Sequence, residues 1–194
     1  MTKYNNIWLI SDTHFGDEDF YTYTLENGKP ARKFKNASEA DNYMLEKFNS
    51  VVKDNDKVYF LGDLGKKKVL REILPKLNGK RKILLKGNHD DESLGFYSQY
   101  FNDIRSYFVL DKILMSHIPV HQYCKGKYYM QVHGHTHMFN IPDKYYYNVC
   151  VEQHDYTPVN FEDIKKLIEP KTIKYLNHRE SVDNVFKWCY NEDI

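Results

Sequence analysis

Five short apolar runs in this sequence each stop at a group drawn from aspartate, histidine and asparagine. Ile7 to Ile10 leads into SDTH, with Asp12 and His14. Val58 to Leu61 leads into GD, with Asp63, and Ile83 to Leu85 into KGNHDD, with Asn88, His89 and Asp90. Ile113 to Met115 leads into SHIP, with His117, and Met130 to Val132 into HGHTH, with His133, His135 and His137. Runs of this length read as buried strands. Ligands of open α/β sheets bind outside the carboxyl ends of the strands, so five such ends would pool their polar residues in one place.

The intervening segments fit that layout. A helix is expected after Ser38, which would cap it, with Ala40, Tyr43, Met44, Phe48, Val51 and Val52 on one side. A second is expected over Lys66 to Leu74, stopped by Pro75 and Gly79, and a weaker third over Ser93 to Phe101. Past Arg105 the strands crowd together, with LDK as a hairpin turn and Tyr145 to Val151 as a further strand. Helix returns at Phe161 to Ile168 and near Val182 to Tyr190. The pattern is α/β with a strand-rich second half.

Bulk properties narrow the function. The 194 residues suit a single domain, and 28 basic against 27 acidic residues leave a net charge of +1. No global field draws the chain to DNA or anionic lipid. Cys124, Cys150 and Cys189 are scattered with no CxxC pair, which argues against a thiolate zinc site and for a reducing compartment. The start, MTKYNNIWLI, is too short and polar for a signal peptide, and no apolar run approaches a membrane span. A cytoplasmic protein is expected.

Chemistry enters through spacing. Asp-x-His places two donors where both can face one ion, and alternate histidines at a strand end share a face. Carboxylate, imidazole and amide oxygen suit manganese, iron, zinc or related ions. Gly62, Gly87 and Gly134 precede the donors, where the backbone must turn sharply or approach closely.

Taken in order, SDTH, GD, GNHD, SH and GHTH resemble the calcineurin-like metallophosphoesterase superfamily, and NVCVE and YTPVNFEDI resemble the tail of its small bacterial and phage members. The resemblance implies a four-layer αββα sandwich of two mixed sheets flanked by helices, with a short C-terminal helical extension from about residue 172. It implies that Asp12, His14, Asp63 and His137 hold one divalent ion and Asp63, Asn88, His117 and His135 a second, Asp63 bridging. Manganese is the first choice, with iron, zinc, nickel or magnesium as alternatives. A hydroxide between the ions would attack phosphorus, His89 would stand beside the leaving oxygen, and Asp90 would be its hydrogen-bonded partner. His133 is left over, either as a support for the ligands or as a structural residue.

Two departures bear on the substrate. Asp17 stands where many relatives carry a histidine, and GDLGKKK lacks the arginine that follows GD in protein phosphatases of the superfamily. A phosphodiester, with a nucleotide as one option, is therefore favoured over a phosphoprotein. Arg32, in the aromatic-rich segment 17–34, is the candidate phosphate contact. Two rivals remain: a non-catalytic interaction scaffold of the same fold, and a nuclease. A small phosphoester is the expected partner; neither a membrane nor a stable nucleic-acid complex is expected.

Overall fold

The computed structural model describes residues 4–22, 24, 25, 28 and 30–168. The apolar runs fold as strands, in chain order with the helices between them. They are β1 (Ile7–Ile10), α1 (Asp19–Thr22), α2 (Ala37–Val51), β2 (Lys57–Phe60), α3 (Lys67–Ile73), β3 (Arg81–Leu85) and α4 (Leu94–Tyr97). Then come β4 (Asp103–Arg105), β5 (Tyr107–Leu110), β6 (Ile113–Ser116), β7 (Met130–His133), β8 (Tyr146–Asn148), β9 (Val159–Asn160) and α5 (Phe161–Lys166). One sheet has the order β4-β3-β2-β1-β9 and the other β5-β6-β7-β8. Both are mixed: β9 runs against β1 and β5 against β6, while the other pairs are parallel.

Alternation explains why the first three runs are apolar without a break. Ile10, Val58, Phe60 and Leu84 face α2, α3 and α4, where Met44, Phe48, Leu70, Ile73, Phe96 and Tyr97 cover them. Their neighbours Leu9, Tyr59, Leu61, Ile83 and Leu85 point to the opposite face. There they meet Ile113, Met115, Met130 and Val132 of the second sheet and Phe161 and Ile164 of α5. A sheet buried on both faces needs apolar residues at successive positions. Helix, sheet and sheet thus stack in that order, and the two mixed sheets with their helices form an α/β fold of the expected sandwich kind. The helix expected near Val182 to Tyr190, the extension from about residue 172, Cys189 and His178 lie outside the described residues.

Several boundaries differ from expectation for local reasons. The cap of α2 is Asn36, not Ser38: the Asn36 carboxamide oxygen accepts the Glu39 amide at 2.9 Å, and the Glu39 carboxylate accepts the Lys35 amide at 2.9 Å. This reciprocal pairing starts the helix earlier and leaves Ser38 inside its first turn. Ser93 does cap α4, accepting the Phe96 amide at 3.2 Å, but that helix lasts only four residues. β8 stops at Asn148, whose side-chain oxygen takes the Cys150 amide at 2.9 Å and starts the 3-10 turn Val151–His154. The LDK hairpin forms as expected, with Asp111 and Lys112 at φ 49° and 60°, the left-handed pair that a tight hairpin turn requires.

What positions the site is the seam between the sheets. Beyond the end of β1, Ser11 donates its amide to Val149 at 3.2 Å and accepts that of Val151 at 3.1 Å. That stitch brings the carboxyl end of β1 against the segment following β8. Among the described residues, no helix is long and apolar enough to cross a membrane.

Candidate metal centre

The chain bends sharply where these strands end. Asp12, His14, Asp63, His135 and His137 have φ of 59°, 47°, 53°, 69° and 48°, and they make up five of the nine non-glycine residues with positive φ among those described. Left-handed backbone costs a non-glycine residue about 1–3 kcal/mol, and such strain gathers at functional sites. Asp and His tolerate it better than most. Backbone hydrogen bonds hold the bends: Asp12 donates to Gly62 at 3.0 Å, His14 to Asp63 at 3.0 Å and Phe15 to Leu64 at 2.8 Å. The loop after β1 is zipped onto the loop after β2.

Two clusters result. Asp12, His14 and His137 bring one donor atom each within 4.8 Å of one another, and so do Asp63, His117 and His135. Asp63 belongs to both sides: its Oδ2 lies 3.7 Å from His14 Nε2 and 3.3 Å from His117 Nε2. Asn88 joins the second cluster, with Oδ1 2.9 Å from His117 Nε2. All seven residues singled out as metal candidates therefore come together.

The donors are prepared for a cation. Asp12 Oδ2 accepts the His135 amide at 2.8 Å and the Cys150 thiol at 3.2 Å. Its Oδ1 faces His137 Nε2 at 3.5 Å and, with His14 Nε2, is buried without a hydrogen-bond partner. Leaving such groups unsatisfied costs about 1–3 kcal/mol each. A divalent ion shared by both atoms would satisfy them, and this oxygen–nitrogen donor set suits manganese, iron or zinc. Burial, reinforced by Arg32 and His137, pushes the His14 imidazole down to about 3, which keeps its lone pair free near neutral pH. Burial would raise Asp63, but the His117 ring and the His89 amide overcome it and hold the carboxylate ionised.

Glycine is needed at two close approaches. A Cβ on Gly87 would strike the Asp63 carboxylate, and one on Gly134 would strike the Asp12 carboxylate and the Ser11 hydroxyl.

Two expectations require correction. Arg32 is not a surface contact for phosphate: it is buried, donating to the Asp12 carbonyl at 2.6 Å, the Thr13 carbonyl at 2.9 Å and Glu152 Oε1 through Nε at 2.9 Å. A guanidinium can fill that many acceptors at once, which is why it stays inside. Asp90 is not the partner of His89. Its carboxylate accepts the amides of Asp63 at 3.0 Å, Leu64 at 2.9 Å and Gly87 at 2.8 Å, so it fixes the loop that carries Asp63. The pattern GNHD places Asp90 next to His89 in sequence, but Asp90 is buried on three backbone amides while His89 is exposed.

Glu152 is a residue that motif reading missed. Its Oε1 accepts His137 Nδ1 at 3.0 Å as well as Arg32, which orients the imidazole so that Nε2 faces Asp12. Burial would raise the Glu152 carboxyl, but Arg32 and His137 bring it down to about 2. A signal was available: a lone glutamate directly follows the apolar Val149 to Val151. Asp17 plays a similar part for His14, with Oδ2 3.5 Å from its Nδ1 and 3.2 Å from Lys66 Nζ. His133 is buried on Gly134, His121 caps the 3-10 turn Gln122–Cys124, and His154 bonds to Asn148, so none of the three enters the clusters.

The Arg32–Glu152 pair gives the first testable outcome. Arg32→Ala strands a buried carboxylate, which should lower the unfolding free energy by about 3–5 kcal/mol in urea titration. An unchanged midpoint together with a raised KM would instead return Arg32 to the substrate.

His89 is exposed, as are Asn88 and His135. Its amide donates to Asp63 Oδ1 at 2.8 Å, and its ring lies 5.6 Å from that of His14, at the border of a cavity of about 680 Å³. The ring is thus open to a ligand while its backbone is tied to the centre.

The chain is similar to known proteins in sequence and in fold. A family model described as calcineurin-like phosphoesterase matches residues 6–192. An uncharacterized protein of Methanocaldococcus jannaschii is 34% identical over 183 residues, which is 88% of this chain and 96% of that protein. The crystal structure of a protein of unknown function from Aquifex aeolicus superimposes with a TM-score of 0.67 at 31% identity, covering 84% of this chain and 99% of its own.

Proposed function

Because the chain belongs to the calcineurin-like phosphoesterase family, we propose that it hydrolyses phosphodiesters at a centre built for two divalent cations. The observation that carries this reading is the placement of Asp63 Oδ2 between two Asp/His clusters, beside the buried and unpartnered Asp12 Oδ1 and His14 Nε2. Asp12, His14, Asp63 and His137 would hold one cation, and Asp63, Asn88, His117 and His135 the other. Manganese is the first ion to test, with iron, zinc, nickel and magnesium next. When bound, such a pair polarises the phosphoryl oxygens and lowers the pKa of water to near neutrality.

The chain's own groups do the rest. Asp63 sets the spacing of the two sites, and Asn88 contributes a neutral oxygen that limits the negative charge facing the substrate. His89 donates a proton to the departing alkoxide. The ester P–O bond breaks, the oxygen of water forms the new P–O bond, and an alcohol and a phosphomonoester leave. Asp90 acts at a distance, keeping the Asp63 loop in place through its three amide bonds.

Charge favours the diester. A monoester brings a second negative charge, which needs a cation of its own. The Arg32 guanidinium is used internally, Lys66 is paired with Asp17, and Lys67 is paired with Glu92. A singly charged diester makes no such demand.

The test is hydrolysis of bis(p-nitrophenyl) phosphate and p-nitrophenyl phosphate by protein loaded with Mn²⁺, alongside metal analysis. The expected result is a higher kcat/KM for the diester, abolished by a chelator and restored by the metal. Metal uptake without turnover of either ester, with any of the five ions, would make the protein a scaffold.

A further inference from the structure

Two cavities meet the centre from different sides and share no lining residue. The larger, about 680 Å³, is bordered by His14, His89, His135 and His137 and walled by Phe20, Met138 and Phe139. The smaller, about 580 Å³, is bordered by Asn88 and His117 and walled by Tyr107, Ile118 and Tyr128. A phosphodiester has two arms, and phosphorus placed over Asp63 would send one into each.

The position of His89 decides which arm goes where. A proton donor has to stand beside the leaving oxygen, and His89 borders the Phe20 cavity but not the Tyr107 cavity. Resting on the phosphodiester reading above, we propose that the cavity of Phe20, Met138 and Phe139 receives the leaving alcohol, as an uncharged arm bearing an apolar or aromatic group. The cavity of Tyr107, Ile118 and Tyr128 receives the arm that stays on phosphorus.

Charge supports the uncharged leaving arm. Asp17 and Asp19 both line the larger cavity, and Lys66 in the same wall is 3.2 Å from Asp17. A leaving arm with its own phosphate would face two carboxylates and one cation already paired. The aromatic wall has a fixed part and a free part. Phe20 is packed on the rings of His14 at 4.2 Å and His137 at 4.9 Å and lies 4.6 Å under the Arg32 guanidinium. Phe139 is 67% exposed, so its ring is free to cover an entering arm and can be removed without disturbing the core. Tyr107, 56% exposed at the edge of the second sheet, is its counterpart on the other side.

The experiment compares Phe139→Ala and Tyr107→Ala with wild type, all loaded with Mn²⁺, on bis(p-nitrophenyl) phosphate and methyl p-nitrophenyl phosphate. The two probes share a leaving group and differ only in the retained arm. Stacked aromatic contacts of this kind lose about 10-fold in kcat/KM on alanine substitution. Phe139→Ala should lower both probes by about that factor and leave their ratio unchanged. Tyr107→Ala should lower only the bis-aryl probe, so the ratio itself falls about 10-fold. The ratio is independent of the fraction of active protein, so partial misfolding cannot imitate the Tyr107→Ala outcome. For Phe139→Ala, bound metal per chain and the melting temperature should match wild type, and a fall in either would overturn the assignment of the leaving arm. The reverse pattern would exchange the arms, and no change in either variant would remove both cavities from recognition; either overturns the assignment. If wild type turns over neither probe, the phosphodiesterase reading fails first and takes the assignment with it.

Discussion

Asp63→Asn should lower kcat/KM for bis(p-nitrophenyl) phosphate by about 10³-fold, equivalent to roughly 4 kcal/mol of transition-state stabilisation. It should also reduce the metal bound after dialysis. The substitution is chosen for what it leaves intact. Asparagine tolerates the φ of 53° at this position and keeps an oxygen for the His89 amide. What disappears is the negative charge that faces His14 at 3.7 Å and His117 at 3.3 Å. Because the same oxygen serves both clusters, losing its charge should weaken both at once rather than halve the site. Calorimetric metal titration separates the cases. Two weakened sites fit a shared carboxylate, whereas one intact and one lost site would mean that Asp63 serves a single cluster. Unchanged activity with full metal content would sink the two-cation reading outright.

The second large effect is expected at His89, and it should depend on the substrate. A general acid contributes about 10²–10⁴-fold when the departing alkoxide is a poor leaving group. His89→Ala should therefore lose at least ~10²-fold on a diester with an alkyl leaving group. It should lose far less on a p-nitrophenyl ester, whose phenolate departs unaided. Metal content should be unchanged, since the bond to Asp63 Oδ1 comes from the backbone amide and survives the substitution. A uniform loss across leaving groups, accompanied by loss of metal, would make His89 a structural residue instead.

The convergence of the seven candidate residues could be read from the chain because each follows a strand that is itself easy to read. Ile7 to Ile10, Val58 to Leu61 and Ile83 to Leu85 are apolar at every position, and parallel strands deliver their ends to one edge. Short-range pattern carries that much. It does not carry partners that meet only after folding. Arg32 and Glu152 are 120 positions apart, and nothing near Arg32 in the sequence indicates a buried carboxylate waiting for it. Aromatic neighbours such as Phe20 point to a wall of the cleft, which Phe20 does line, but they do not reveal that it also packs over a buried guanidinium. Asp90 misled for the opposite reason. Its neighbour in sequence was a plausible partner, but a carboxylate at a tight turn finds backbone amides closer than any side chain. Asparagine caps a helix as well as serine does, and the reciprocal bond between Glu39 and Lys35 favours Asn36 over the expected Ser38.

The left-handed backbone at Asp12, His14, Asp63, His135 and His137 has a thermodynamic corollary. The folded chain holds these residues in place against their own conformational preference, and a ligand that binds only the folded form shifts the folding equilibrium by mass action. Melting temperature should therefore act as a gauge of free cation, climbing with each decade of metal added beyond saturation. In a cell, the lifetime of this protein would then follow the supply of its ion.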